Sequence, residues 1–302
     1  TRRSSDLKNK KVKKQTNVVV IGGGTAGLEA AGTASELGCT TFLFEKKSYL
    51  GGLAREISKL PDKHRISYFP DYLLNKIKKF SNFTVFTNTI PDVKMIENLK
   101  PDIIVNATGS IPLLPPIKGL LERIDKEGEN LYSIFGMLRK IDEFKKLDFE
   151  GKKVAVIGGG AVGLDVVEFF AERKAKVSIV EMMPMIGRDL DVVTKISMMD
   201  IIKEYNVDVK TSTALVEVFS DHFKVEKGGH EENMDFDYGF VCLGMKPVNE
   251  GLKDLQEYFA EKNVEIINIG DSTRARKIMD GVREGSELTV VLEKIGDRKS
   301  VV

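Results

Sequence analysis

Only two cysteines, Cys39 and Cys242, occur in the 302 residues, and they form no C-x-x-C pair. This excludes a redox disulfide and any iron–sulfur cluster held by cysteines of this chain. Cys242 falls in the apolar stretch Phe240-Val-Cys-Leu243 and Cys39 just before the run ending at Glu45, so both thiols are expected in or near the core. Tryptophan is absent. The three histidines, His64, His222 and His230, show no metal-ligand spacing and sit in polar surroundings, so they are expected on the surface and no metal site is expected. No apolar run approaches the ~20 residues of a membrane span, and no secretory signal is present. The reading is a cytoplasmic protein with no membrane partner. A surplus of charge is also missing: 46 basic residues face 45 acidic ones, which gives no general attraction to nucleic acid. The local exception is Arg2, Arg3, Lys8, Lys10, Lys11, Lys13 and Lys14, opposed only by Asp6. It reads as a flexible, solvated leader over 1–16.

Glycine, in contrast, is placed with a pattern, and the pattern occurs twice. Val18-Val-Val-Ile-Gly22-Gly-Gly24-Thr25-Ala26-Gly27 is followed by Glu45, 23 positions after Gly22. Val154-Ala-Val-Ile-Gly158-Gly-Gly160-Ala161-Val162-Gly163 is followed by Glu181 at the same distance from Gly158. One G-x-G-x-x-G is weak evidence of a nucleotide site. Here each copy follows an apolar run of strand length and opens a helical segment, predicted over Leu28–Leu37 and Leu164–Arg173. A second apolar run then ends on the acidic residue, which completes the strand–turn–helix–strand setting of dinucleotide binding. The first glycine permits the tight turn, the second lets a pyrophosphate approach the backbone, and the third lets helix and strand pack closely. The helix N-terminus offers free N–H groups to phosphates, and Glu45 and Glu181 would accept hydrogen bonds from ribose hydroxyls. Two such sites in one chain suggest hydride passing between two cofactors.

The punctuation between the copies suggests the domain plan. Residues 17–112 form the first segment, closing with Asp102-Ile-Ile-Val-Asn106 and the turn Ala107-Thr108-Gly109. The prolines of Leu113-Leu-Pro-Pro-Ile117 end regular structure and mark a crossing. Residues 113–247 form the second unit, which ends with Leu243-Gly244 in the place of the earlier Ala-Thr-Gly turn. Residues 248–302 return to the first domain through Val264-Glu-Ile-Ile-Asn-Ile-Gly270-Asp271 and an amphipathic helix predicted over Lys277–Ile295. The fold class is therefore α/β, with two Rossmann-like domains, the second inserted in the first.

In this order the motifs resemble the two-dinucleotide-binding-domain flavoproteins. Among these the chain is most similar to the C-terminal half of the dienoyl-CoA reductase and enoate reductase family, in which an old-yellow-enzyme barrel with FMN and an iron–sulfur cluster precedes an FAD/nicotinamide module. The stretches that carry the resemblance are Phe44-Glu-Lys-Lys-Ser-Tyr-Leu-Gly51-Gly52, Lys100–Gly109, Val180-Glu-Met-Met-Pro-Met-Ile-Gly-Arg188-Asp-Leu-Asp191 and Gly270–Gly285. The resemblance implies that Gly22, Gly24, Thr25, Ala26, Gly27 and Glu45 hold the ADP half of FAD, with Lys46 beside the ribose. It also implies that Gly51 and Gly52 approach the pyrophosphate or flavin, and that Ala107, Thr108, Gly109, Gly270 and Asp271 line the rest of that site. The helix starting near Lys277 and Ile278 would point its positive end at the flavin. Gly158, Gly160, Ala161, Val162, Gly163, Glu181 and Gly244 would bind NADH.

Three departures stand out. Thr25 replaces the family's usual proline. Asp165 replaces its usual glutamate near the nicotinamide, either with a part in hydride transfer or as a carboxylate favoured by the dipole of the helix's first turn. The barrel, the cluster cysteines and the acid–base residues of double-bond reduction are absent, so no substrate acid or base is assigned. The chain starts at Thr1 rather than Met, which together with the basic leader fits a segment that follows such a barrel. The resulting reading is an FAD-dependent, NADH-oxidising module that passes electrons to an FMN/iron–sulfur barrel domain or subunit. The rivals are a stand-alone diaphorase and a non-catalytic module holding only ADP. A homo-oligomer is left open.

Overall fold

A computed structural model of the chain describes residues 12, 14–61 and 63–298, with the side chains of the last helix as far as 293. Of the leader over 1–16, Val12, Lys14, Gln15 and Thr16 are described, and this part is not solvated throughout: Thr16 is buried and Val12 N donates to Leu37 O at 2.9 Å. The described chain divides into two compact units. One joins the residues up to Ile111 with those from Lys246 onward, and the other is Pro112–Met245.

The run Asn17–Ile21 is a strand at the centre of the first unit because its side chains are apolar on both faces, as a parallel strand covered on both sides requires. Val18 and Val20 join one core with Leu28, Ala31, Leu73, Ile77, Leu288 and Leu292. Val19 faces the opposite core with Phe44, Ile104, Leu255 and Phe259, following the two-residue alternation of a strand. The sheet is parallel throughout, in the spatial order Glu265–Asn268, Ile103–Asn106, Asn17–Ile21, Thr40–Phe44 and Phe83–Phe86.

The second unit repeats this order: Leu131–Ser133, Tyr238–Val241, Lys153–Ile157, Lys176–Glu181 and Asp208–Thr211, again all parallel. It adds an antiparallel sheet of Ala214–Val218, His222–Lys227 and His230–Asp235, which shares a core with Ile157, Val180 and Val241 through Val218, Phe223 and Val225. In both units the fingerprint strand lies third, between the strand that ends in the small-residue turn and the strand that ends on glutamate. The order of the strands reverses there, and in such sheets ligands bind beyond the carboxyl ends of the strands at that point.

Both fingerprint helices start three residues earlier than predicted, at Thr25–Glu36 and Ala161–Ala171. The middle glycines Gly24 and Gly160 are the N-cap residues (φ −73° and −78°), and as glycines neither supplies a capping side chain of its own. The third glycine therefore lies inside the first turn. Both cysteines are buried. His222 departs from the expected exposed setting: it is half-buried, its ring stacked on Phe219 at 4.3 Å between centroids, with Asp221 Oδ1 2.8 Å from Nδ1. Among the described residues no helix is long and apolar enough to cross a membrane, and no group of metal-ligating side chains is found.

Candidate dinucleotide sites

The two loops are built alike. Gly22 and Gly158 take φ of +109° and +107°, where an L side chain is strained. A Cβ there would also overlap the carbonyl oxygen of Ala107 or Cys242. A Cβ on Gly27 or Gly163 would overlap the carbonyl oxygen of the first glycine of its own loop. Strand, turn and helix can approach this closely only where no side chain intervenes. At Gly24 nothing lies within 4 Å of the position a Cβ would take, so the backbone presents an open face beside a helix N-terminus with no side-chain cap. Such an end offers unpaired N–H groups and the positive end of the dipole.

Each glutamate is held by its own loop. Glu45, buried, accepts from Gly23 N at 2.8 Å through Oε2 and from Lys47 N at 2.8 Å through Oε1. Glu181 accepts from Gly159 N and Met183 N, both at 2.7 Å. A carboxylate has about four acceptor sites, so each can still receive a ribose hydroxyl while its position stays fixed. The correspondence runs on through the next turns. Gly51 N donates to Gly23 O and Gly187 N to Gly159 O; Thr89 N donates to Glu45 O and Thr213 N to Glu181 O. Lys46 is exposed on the first of these turns, while Lys47 pairs with Glu56 at 2.9 Å.

In the first unit further predicted residues gather at the same strand ends. A Cβ on Gly52 would stand 2.8 Å from Gly24 Cα. Thr108 Oγ1 donates to Val248 O and to Asn106 Oδ1. Asp271 accepts from Ser110 Oγ at 3.0 Å and from Arg276 N at 3.1 Å. Gly270, at φ +68°, lies against Ala26 of the fingerprint helix. Lys277 N donates to Asp280 Oδ2 at 3.2 Å, and the last helix spans Ile278–Arg298.

In the second unit Gly244 takes φ +100° just past Cys242, whose carbonyl faces Gly158. Asp165 is half-buried. The first-turn reading of Asp165 is corrected, because a helix starting at Ala161 puts it fifth and its first turn carries no acidic residue. Burial, with the Asp165 charge adding to it, pushes the Cys242 thiol up to about 12; burial and the charge of Asp102 do the same for Cys39. Both stay as protonated, unreactive thiols at neutral pH.

Several supporting residues carry no single-sequence signal. Glu284 accepts from Gly270 N at 2.6 Å and pairs with Arg276 at 2.6 Å, so the last helix reaches back to fix the Gly-Asp turn. Asn106, Asn268 and Ser272 form a network beneath that turn. Gly281 and Gly285 pack on Ala26 and Ala30 without room for a Cβ. Their four-residue spacing on one helix face is the one hint the sequence offers.

Fold and loops together define the class: a two-dinucleotide-binding-domain flavoprotein. The chain belongs to the family described as pyridine nucleotide-disulphide oxidoreductase, whose profile matches residues 16–266. Its cofactors are FAD and NAD(H). A curated relative named NADH oxidase, from Thermoanaerobacter brockii, is 33% identical over 94% of this chain and 42% of its own length. One named bilirubin reductase, from Mediterraneibacter gnavus, is 32% identical over 89% of this chain and 39% of its own. The chain thus spans less than half the length of these relatives. Among solved structures, 2-naphthoyl-CoA reductase superposes with a TM-score of 0.77 at 24% identity, over 93% of this chain and 40% of that one. Thioredoxin reductase of T. acidophilum gives 0.66 at 20% identity, over 92% and 98%.

Proposed function

We propose that this chain is the FAD-dependent, NADH-oxidising module of an enoate-reductase-type enzyme, which delivers electrons to an FMN/iron–sulfur barrel domain or subunit. One observation carries the reading: two copies of the same glycine-and-glutamate cradle, each at the strand ends of its own sheet. The relatives named bilirubin reductase and cinnamate reductase, and their greater length, support the finer assignment.

When bound, FAD supplies the hydride acceptor and NADH the donor. The chain's own residues bind and orient. Gly22 and Gly27 let strand, turn and helix close up, so that Gly24 and the N–H groups of Thr25 and Ala26 would meet a pyrophosphate; Glu45 would hold a ribose, and Asp271 would take the ribityl or phosphate side. The helix from Ile278 would offer its positive end to a bound flavin. Gly158, Gly160, Ala161, Val162, Gly163 and Glu181 serve NADH in the same manner. The chain's own thiols are protonated and buried, so neither relays electrons.

The purified chain is expected to be yellow, to bleach anaerobically with NADH and to reduce artificial dyes or quinones. Unsaturated acids and CoA thioesters are expected to be left intact. A colourless protein holding ADP would overturn the electron-transfer role. NADH-dependent loss of a substrate double bond by this chain alone would place the whole reaction within these residues and end the need for a partner.

A further inference from the structure

The two loops differ in what lies over the middle glycine. The position a Cβ would take on Gly24 is open, whereas on Gly160 it would be 3.5 Å from Asp189 Oδ2 and 3.8 Å from Oδ1. The same carboxylate accepts from Ala161 N, with Oδ1 at 3.2 Å and Oδ2 at 3.1 Å. Ala161 is the first residue of the helix that Gly160 caps. An anionic side chain therefore sits on the helix N-terminus, over the glycine whose bareness admits a phosphate.

The difference arises after a shared point. Gly51 and Gly187 make the same bond back to their loops, and then the chains part. In the first unit Gly52 presses its backbone on Gly24 and starts a helix, Gly52–Ile57, and no described side chain comes within 4 Å of the Cβ position of Gly24. In the second, the short run from Gly187 to Asp191 carries Asp189 over Gly160. This run is anchored at Gly187 and again at Asp191, whose carboxylate caps the helix Val192–Glu204 through Val193 N and Thr194 N, both at 3.1 Å.

We propose that Asp189 is an affinity-determining clasp: its carboxylate occupies the pyrophosphate seat of the second loop, and a dinucleotide must expel it to bind. The inference rests on the reading of that loop as the nicotinamide dinucleotide site. Ligand and clasp need the same N–H. Once displaced, the tethered carboxylate stays close to two phosphate charges of its own sign. The native loop therefore binds phosphate-bearing ligands more weakly than a loop without the charge, and ligands lacking phosphates are indifferent to it.

Calorimetric titration of the purified chain with NADH, ADP-ribose and adenosine tests this in Asp189→Asn and Asp189→Ser, with Asp191→Asn as a charge-matched comparison. Removing the Asp189 charge is expected to tighten NADH and ADP-ribose about tenfold, the upper range for a charge at a helix end. Adenosine affinity is expected to stay as in the native chain, while the free protein is expected to melt slightly lower, because the carboxylate's bond to Ala161 N is lost. NADH binding that is unchanged or weaker in both Asp189 variants overturns the clasp. So does equal tightening of adenosine, or by Asp191→Asn, either of which would mark a general charge effect. If neither the native chain nor Asp189→Asn binds NADH, the reading of the second loop has failed and the clasp falls with it. Native binding with unresponsive variants defeats the clasp alone.

Discussion

The same loop stands at the head of two differently built helices. In the first unit, Thr25–Glu36 is lined by Ala30, Ala31, Gly32 and Ala34; the matching positions of Ala161–Ala171 hold Val166, Val167, Glu168 and Phe170. The first helix is narrow on two sides: the last helix of the chain lies on Ala26 and Ala30 through Gly281 and Gly285, and Ile77 lies against Gly32. The contact with the last helix brings Glu284 onto Gly270 N and so sets the Gly-Asp turn at the loop. The second helix packs instead against an aromatic core. Phe170 meets Phe149 and Phe240 at 4.8 Å and Phe144 at 5.9 Å between ring centres. The loop geometry is thus indifferent to what packs behind it. What differs is what each unit adds at the opening: a polar turn in the first, a carboxylate in the second.

The largest expected effect falls on the bare middle glycine. Gly24→Val places a branched side chain where no protein atom lies within 4 Å, in a backbone region open to any residue. The variant should fold and melt as the native chain does, yet lose flavin at least a hundredfold, about 3 kcal/mol or more of overlap with the pyrophosphate. NADH binding to the second loop should persist. Flavin content after gel filtration checks this, and undiminished stoichiometry would mean that the first loop is misassigned.

Next in size is the aromatic core that distinguishes the second helix. Phe170 is fully buried, and Phe170→Ala should destabilise Pro112–Met245 by about 3–5 kcal/mol. The flavin-binding unit should be largely spared. Limited proteolysis and thermal unfolding followed by flavin fluorescence would show early cleavage of 112–245 with flavin still bound. Simultaneous loss of both would show that the units do not unfold separately.

Much of this was legible in the residues. The glycine spacing, the two glutamates and the apolar strands point to the first sheet, the three inner strands of the second and both loops, because close approach and backbone burial leave few other residue choices; Leu131–Ser133, Asp208–Thr211 and the antiparallel sheet carry no such pattern. The helix starts were not, since glycine is a poor helix former and hides the fact that the N-cap glycine and the third glycine belong to the helix end. Glu284 on Gly270 and Asp189 on Ala161 depend on chain returning across a sheet end, and no local pattern encodes that. His222 looked exposed because its neighbours are polar, but Phe219, three residues back, turns under it.

A smaller effect is expected in cofactor choice. The Glu181 carboxylate is pinned by Gly159 N and Met183 N and cannot swing aside for a 2′-phosphate. The residues beside it, Met182 and Met183, offer no positive charge. A carboxylate about 4 Å from that phosphate costs about 1–4 kcal/mol at effective dielectrics of 80 to 20, so flavin reduction should favour NADH over NADPH by about tenfold or more. Stopped-flow reduction with each cofactor decides it. Equal efficiency would show that Arg188 or another cation folds back over the site.

The smallest effect tests whether the units can exchange a residue. Cys242 occupies the place in the second unit that Ala107 has in the first: each lends its carbonyl to the turn at the first glycine, and each has its Cβ near the third, 3.6 Å and 3.3 Å from where a Cβ would stand. Cys242→Ala should therefore cost only about 1 kcal/mol in stability, the loss of one small buried group. It should leave NADH-driven flavin reduction within about twofold. With its pKa raised by burial, the folded thiol keeps its proton while the unfolded one, near the ordinary value of 9.0, releases it. Native stability should thus fall as pH rises from about 9 towards 12, because the unfolded state binds fewer protons there, and part of that slope should vanish in Cys242→Ala. Alkylation of the native protein at pH 8 should be slow and should speed up only with unfolding. Rapid labelling at pH 8, or a more than tenfold loss of flavin reduction in Cys242→Ala, would show that this thiol takes part in the chemistry and that the two turns are not equivalent.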